Sequence, residues 1–81
     1  MQVTVHFYSY FKELTGCSDL RQTATEGQTL GDLLDKLSGQ FPKLGTMRKS
    51  MLTAVGVDYQ PRDYRLKDGD EVSLFPPVQG G

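Results

Sequence analysis

The chain has 81 residues, a formal net charge of −1 from 9 basic and 10 acidic side chains, and 37% hydrophobic residues. That size fits one domain with one core and leaves no room for a deep enclosed active site, while four Phe and four Tyr are too many for a disordered chain. No basic cluster invites nucleic acid, no apolar run reaches the roughly 20 residues of a membrane span, and a single cysteine excludes an internal disulfide or a four-Cys metal site, so a cytoplasmic protein is expected.

Residues 2–8, QVTVHFY, alternate: Val3, Val5 and Phe7 to one side, Gln2, Thr4, His6 and Tyr8 to the other. That is a half-buried strand. Phe11 and Leu14 then stand three apart, and Gly16 can stop a single helical turn. Residues 19–25 read as a weaker strand and Glu26–Gln28 as a turn. The clearest helix follows, with Thr29 as cap and Asp32 completing an imperfect capping box. Leu30, Leu33, Leu34, Leu37 and Phe41 make one apolar stripe, and Pro42 ends the helix near Gln40. After a loop, residues 51–59 read as one strand, Asp68-Gly69 as a turn, and residues 70–75 as the last strand. The expected architecture is α+β, a mixed sheet covered on one face by one main helix. Residues 1–75 form the domain and 76–81 a flexible tail.

The tail is FPPVQGG, residues 75–81. Pro76 and Pro77 favour an extended stem, Val78 and Gln79 continue it, and Gly80 and Gly81 present bare backbone. Residues 76–81 span roughly 20 Å when extended, enough to enter a partner's pocket. A glycine carboxylate is open to attack from any direction. Were a partner enzyme to adenylate Gly81, a sulfur or amine nucleophile would then take the acyl group. The plainer reading is an unordered tail, glycine-rich because nothing fixes it, or a cloning scar.

The stretch LKDGDEVSLFPPVQGG, residues 66–81, resembles the C-terminus of the molybdopterin synthase small-subunit family: a DGDEV turn and strand, an aromatic, a Pro-Pro pair and Gly-Gly. VHFYSYFKELTG, residues 5–16, is similar to that family's first strand and short helix. Lys12 stands where arginine is commoner, and Gly56 where asparagine often stands. The resemblance implies a ubiquitin-like β-grasp fold and a sulfur carrier without an active site of its own. It implies a ubiquitin-activating-like adenylyltransferase that uses ATP to adenylate Gly81, then conversion to a thiocarboxylate. It further implies a large synthase subunit that takes the tail and passes sulfur to a cyclic pyranopterin, in a heterotetramer. No cofactor is expected on this chain. Sulfur carriage for thiamine, tungsten-cofactor or cysteine pathways, protein modification through Gly81, and a binding module without chain-end chemistry are the competing readings.

Phe75 points away from the face shared by Val72 and Leu74, toward Val57 and Tyr59 if these lie on a neighbouring strand. An aromatic patch beside the tail, Phe75 with Tyr59 and Tyr8, suits partner docking; the alternative is that Phe75 covers a sheet edge. His6 has no second ligand near it in sequence, Cys17 reads as a bystander thiol, and Asp68, Asp70 and Glu71 are read as an acidic flank of the tail that steers a basic partner.

Overall fold

Alternation along Gln2–Phe7 makes β1: Val3, Val5 and Phe7 are buried and the residues between them face outward. Tyr8, Ser9 and Tyr10 turn the chain into α1, Phe11–Thr15, which buries Phe11 and ends at Gly16. β2, Asp19–Thr23, returns antiparallel to β1 with Val5 opposite Leu20. The computed structural model from which these elements are taken describes residues 1–77.

α2, Leu30–Gln40, starts at the expected capping box. The Thr29 hydroxyl accepts from the Asp32 N–H at 3.2 Å, and the Asp32 carboxylate accepts from the Thr29 N–H at 2.9 Å. Leu30, Leu33, Leu34 and Leu37 are buried, each worth roughly 2 kcal/mol of apolar transfer. Phe41 is half-buried and meets Phe7 edge to face. Pro42 ends α2 as anticipated and then opens α3, Pro42–Gly45, at whose first position a missing N–H costs nothing. This short helix lies where the sequence reading had a loop.

The segment read as one strand over 51–59 is a hairpin. β3, Leu52–Val55, and β4, Asp58–Tyr59, flank a two-residue turn at Gly56-Val57. Gly56 has φ +62° and Val57 has negative φ, the pattern of a turn that demands glycine first. β5, Glu71–Phe75, closes the sheet in the order β2-β1-β5-β3-β4; β5 is parallel to β1 and antiparallel to β3. The inward residues Val5, Phe7, Val72 and Leu74 pack under the leucines of α2 in one core. One face of the sheet is thus covered by the helices and the other is open.

The connection from β4 to β5 is a strap tied down by Arg62. Its guanidinium donates to the Thr53 hydroxyl at 2.8 Å, the Arg48 carbonyl at 3.0 Å and the Met51 carbonyl at 3.3 Å. The Arg62 carbonyl accepts from the Gly31 N–H at 2.8 Å. A Cβ on Gly31 would stand 3.3 Å from that carbonyl, so the glycine that weakens α2 also lets the strap approach it.

Candidate functional site

The open face carries its apolar side chains at one end. Val72 and Leu74 are buried, so Ser73 and Phe75 project outward. Parallel register sets Phe7 beside Leu74, and the Tyr8 N–H donates to the Leu74 carbonyl at 3.2 Å. Tyr8 therefore falls next to Phe75, and their rings stack with centroids 4.7 Å apart and planes 16° from parallel. On the other flank Leu52 pairs with Phe75, and Ala54 stands opposite both Ser73 and Tyr59. The small Ala54 lets the Tyr59 ring lean across β3 to within 6.5 Å of Phe75, edge to face. Tyr8 is 42% and Tyr59 70% exposed.

The three expected aromatics thus come together around the last residue of β5. Two details differ from the sequence reading. Tyr59 lies on β4, separated from β5 by β3, and Val57 sits in the hairpin turn at 98% exposure, not on a strand beside Phe75. Leu52, the direct neighbour of Phe75, was not singled out in sequence; its outward position follows only once β3 is registered on β5.

Pro76 and Pro77 follow β5 and are half-buried. The remaining candidates, Val78, Gln79, Gly80 and Gly81, lie outside the described residues.

The acidic flank is at the wrong end of the strand for steering beside the tail. Asp68 and Asp70 precede β5, and Asp70, the nearer of the two, stands five residues and about 16 Å of extended chain before Phe75. Their carboxylates are engaged locally. Asp68 accepts from the Gln2 N–H at 2.8 Å, and Asp70 accepts from the Lys67 N–H at 2.8 Å and the Tyr64 hydroxyl at 3.0 Å. Burial, then the hydrogen bond to Asp70 and its charge, hold the Tyr64 phenol above its usual value of 10.0. His6 and Glu71 meet on the open face with Nε2 and Oε1 2.9 Å apart. Cys17 is half-buried, with its sulfur 3.7 Å from the Thr15 hydroxyl. Among the described residues no three His, Cys, Asp or Glu side chains gather as a metal site, and no helix is long and apolar enough to cross a membrane.

A mixed five-stranded sheet, one covering helix and an aromatic end to the last strand define a ubiquitin-like β-grasp protein. Residues 5–81 match the family model described as the ThiS family, and the chain belongs to that family. It is 32% identical, over all of both chains, to a molybdopterin synthase sulfur carrier subunit from Chlamydomonas reinhardtii. Among solved structures, it resembles the small archaeal modifier protein 1 of Haloferax volcanii, with a TM-score of 0.87, 26% identity and full coverage of both chains. It also resembles a chain of the complex of subunits 1 and 2 of molybdopterin-converting factor from Helicobacter pylori, with a TM-score of 0.71, 26% identity and full coverage of both.

Proposed function

We propose that this protein is a sulfur carrier and the small subunit of a molybdopterin synthase. The observation that carries the reading is the outward-facing cluster of exposed Tyr8 and Tyr59 around half-buried Phe75 at the point where the Pro-Pro stem leaves the sheet. In the proposed cycle, an adenylyltransferase joins the Gly81 carboxylate to the AMP of ATP and releases pyrophosphate. Hydrosulfide from a sulfur donor attacks the acyl carbon, AMP leaves, and the terminus becomes a thiocarboxylate. The aromatic cluster seats the domain on the large subunit while residues 76–81 enter its active site, where sulfur passes to the pyranopterin and water takes its place on the acyl carbon, restoring the Gly81 carboxylate. The Helicobacter pylori complex supports a large-subunit partner of this kind. Both proteins would meet in the cytoplasm.

Reconstitution with a large synthase subunit and the pterin precursor tests this. Full-length thiocarboxylated protein should yield molybdopterin, and protein clipped of Gly80 and Gly81 should yield none. Equal product from both would end the proposal. The likeness to the archaeal modifier favours a second reading, in which Gly81 forms an isopeptide bond to a lysine. It requires tail-dependent adducts in cells that survive reducing agents.

A further inference from the structure

The sheet ends in β4 on one side and in β2 on the other. β4 has only 2 residues, whereas β2 has 5, enough to take a further strand. The bonds that close the β1–β2 ladder use every second residue. The Phe7 N–H donates to the Ser18 carbonyl at 2.8 Å, and the Ala24 N–H donates to the Met1 carbonyl at 2.8 Å. Alternation between these two ends turns the backbone groups of Asp19, Arg21 and Thr23 away from β1, toward the free edge. One of them is occupied: the Lys36 ammonium reaches across from α2 and donates to the Thr23 carbonyl at 3.1 Å. The outward N–H and C=O groups of Asp19 and Arg21 stand open, and an open edge of this kind templates another strand.

The side chains on that edge define what fits it. Asp19 and Arg21 are exposed and lie on the open face, opposite His6 and Thr4. Neither forms an ion pair among the described residues. Leu20, opposite Val5, is half-buried on the helix face. A second copy of this chain complements the edge in one register. Antiparallel pairing about Leu20 sets Asp19 opposite Arg21 of the second copy, and Arg21 opposite its Asp19. Each facing pair then exchanges both N–H···O bonds and matches opposite charges, and the two Leu20 side chains meet at the two-fold axis. Centring the pair on Arg21 instead sets two guanidiniums against each other. Centring it on Arg21 or on Gln22 also needs the Thr23 carbonyl, which Lys36 holds. The order Asp19, Leu20, Arg21 and the reach of Lys36 therefore select the same register.

We propose that the β2 edge is a self-complementary interface, through which two copies of this chain pair about Leu20 into one continuous sheet. The contact is isologous, so it closes after two copies. Its axis is perpendicular to the sheet. The helices of both copies stay on one side, and the cluster of Tyr8, Phe75 and Tyr59 is left uncovered on the other. A short ladder with one apolar pair falls below about 1,200 Å², in the range of weak, reversible contacts. The pairing does not depend on the chemistry at Gly81.

Sedimentation equilibrium of the full-length protein reads the association directly. A dimer half formed at about 0.1–1 mM is expected, with no larger species. Arg21→Asp and Asp19→Arg should each abolish it, because the first sets carboxylates against each other and the second sets guanidiniums. Both positions are exposed, and melting curves establish that the variants fold. Mixing the two variants should restore a one-to-one dimer, since every facing pair is then again of opposite charge. A wild-type protein that stays monomeric to about 1 mM overturns the inference. So does a dimer indifferent to both substitutions, or a mixture that fails to associate. An association lost in Phe75→Ala but kept in Arg21→Asp places the contact on the aromatic cluster and overturns it as well.

Discussion

Tyr8 and Phe75 stack face to face across the parallel pair β1–β5, with ring centroids 4.7 Å apart. The contact lies on the solvent side of the sheet, so it adds little to the core and leaves both rings ready for a partner. Phe75→Ala should weaken binding to the large subunit by about 2–3 kcal/mol, the scale of an interface hot spot, while leaving thermal stability nearly unchanged. Tyr8→Ala should cost less, because Phe75 retains Leu52 and Tyr59 as neighbours. Titration calorimetry beside a melting curve separates the two effects. A large loss of melting temperature with unchanged affinity would mean that Phe75 only covers a sheet edge.

Arg62 ties the strap between β4 and β5 to Thr53, Arg48 and Met51. Removing it leaves part-buried acceptors without a donor, so Arg62→Ala should destabilise the fold by about 2–3 kcal/mol. Arg62→Lys should not restore this, since a single ammonium cannot reproduce the forked donors. Urea denaturation of the two variants checks both statements.

The hairpin turn offers a sharper test of local structure. Gly56 holds φ +62°, so Gly56→Ala should cost about 1 kcal/mol through backbone strain, although no side chain stands in the way. The same substitution at Gly39, in a helix and with open space around it, should be neutral or stabilising. Opposite signs in urea midpoints are expected.

Tyr64 has a phenol held above 10.0 by burial and by Asp70. A raised value in the folded state means the contribution is present below 10.0 and is lost as pH climbs through the folded value. Wild type should therefore be more stable than Tyr64→Phe at a pH of about 8, and the gap should close toward a pH of about 11. A constant gap would show that the hydroxyl has no such linkage.

Much of this was legible in the residues because the signals were local. The alternation of Val3, Val5 and Phe7 fixed the inner face of β1, and Thr29 with Asp32 marked the start of α2 by a reciprocal pair of bonds. The aromatic cluster was legible in part: the parity of β5 sent Phe75 outward. What brought Tyr59 to it was the register of two other strands and the small size of Ala54, neither of which is written in the segment itself. The hairpin was hidden because AVGVDY is apolar and β-branched around one glycine, so a two-residue turn looked like strand. α3 was hidden because proline signals the end of one helix and the first position of the next equally well. Asp68 and Asp70 were misplaced because closeness in sequence to the tail concealed the length of β5 between them, and their hydrogen bonds to Gln2 and Tyr64 depend on the folded topology.

The central claim is that the reactive group of this protein is the carboxyl of Gly81. Intact-mass measurement after incubation with an adenylyltransferase, ATP and a sulfur donor tests it most directly. The account predicts a product heavier by the difference between one sulfur and one oxygen, lost when Gly81 is removed. An unchanged mass under conditions that thiocarboxylate an established carrier would contradict it.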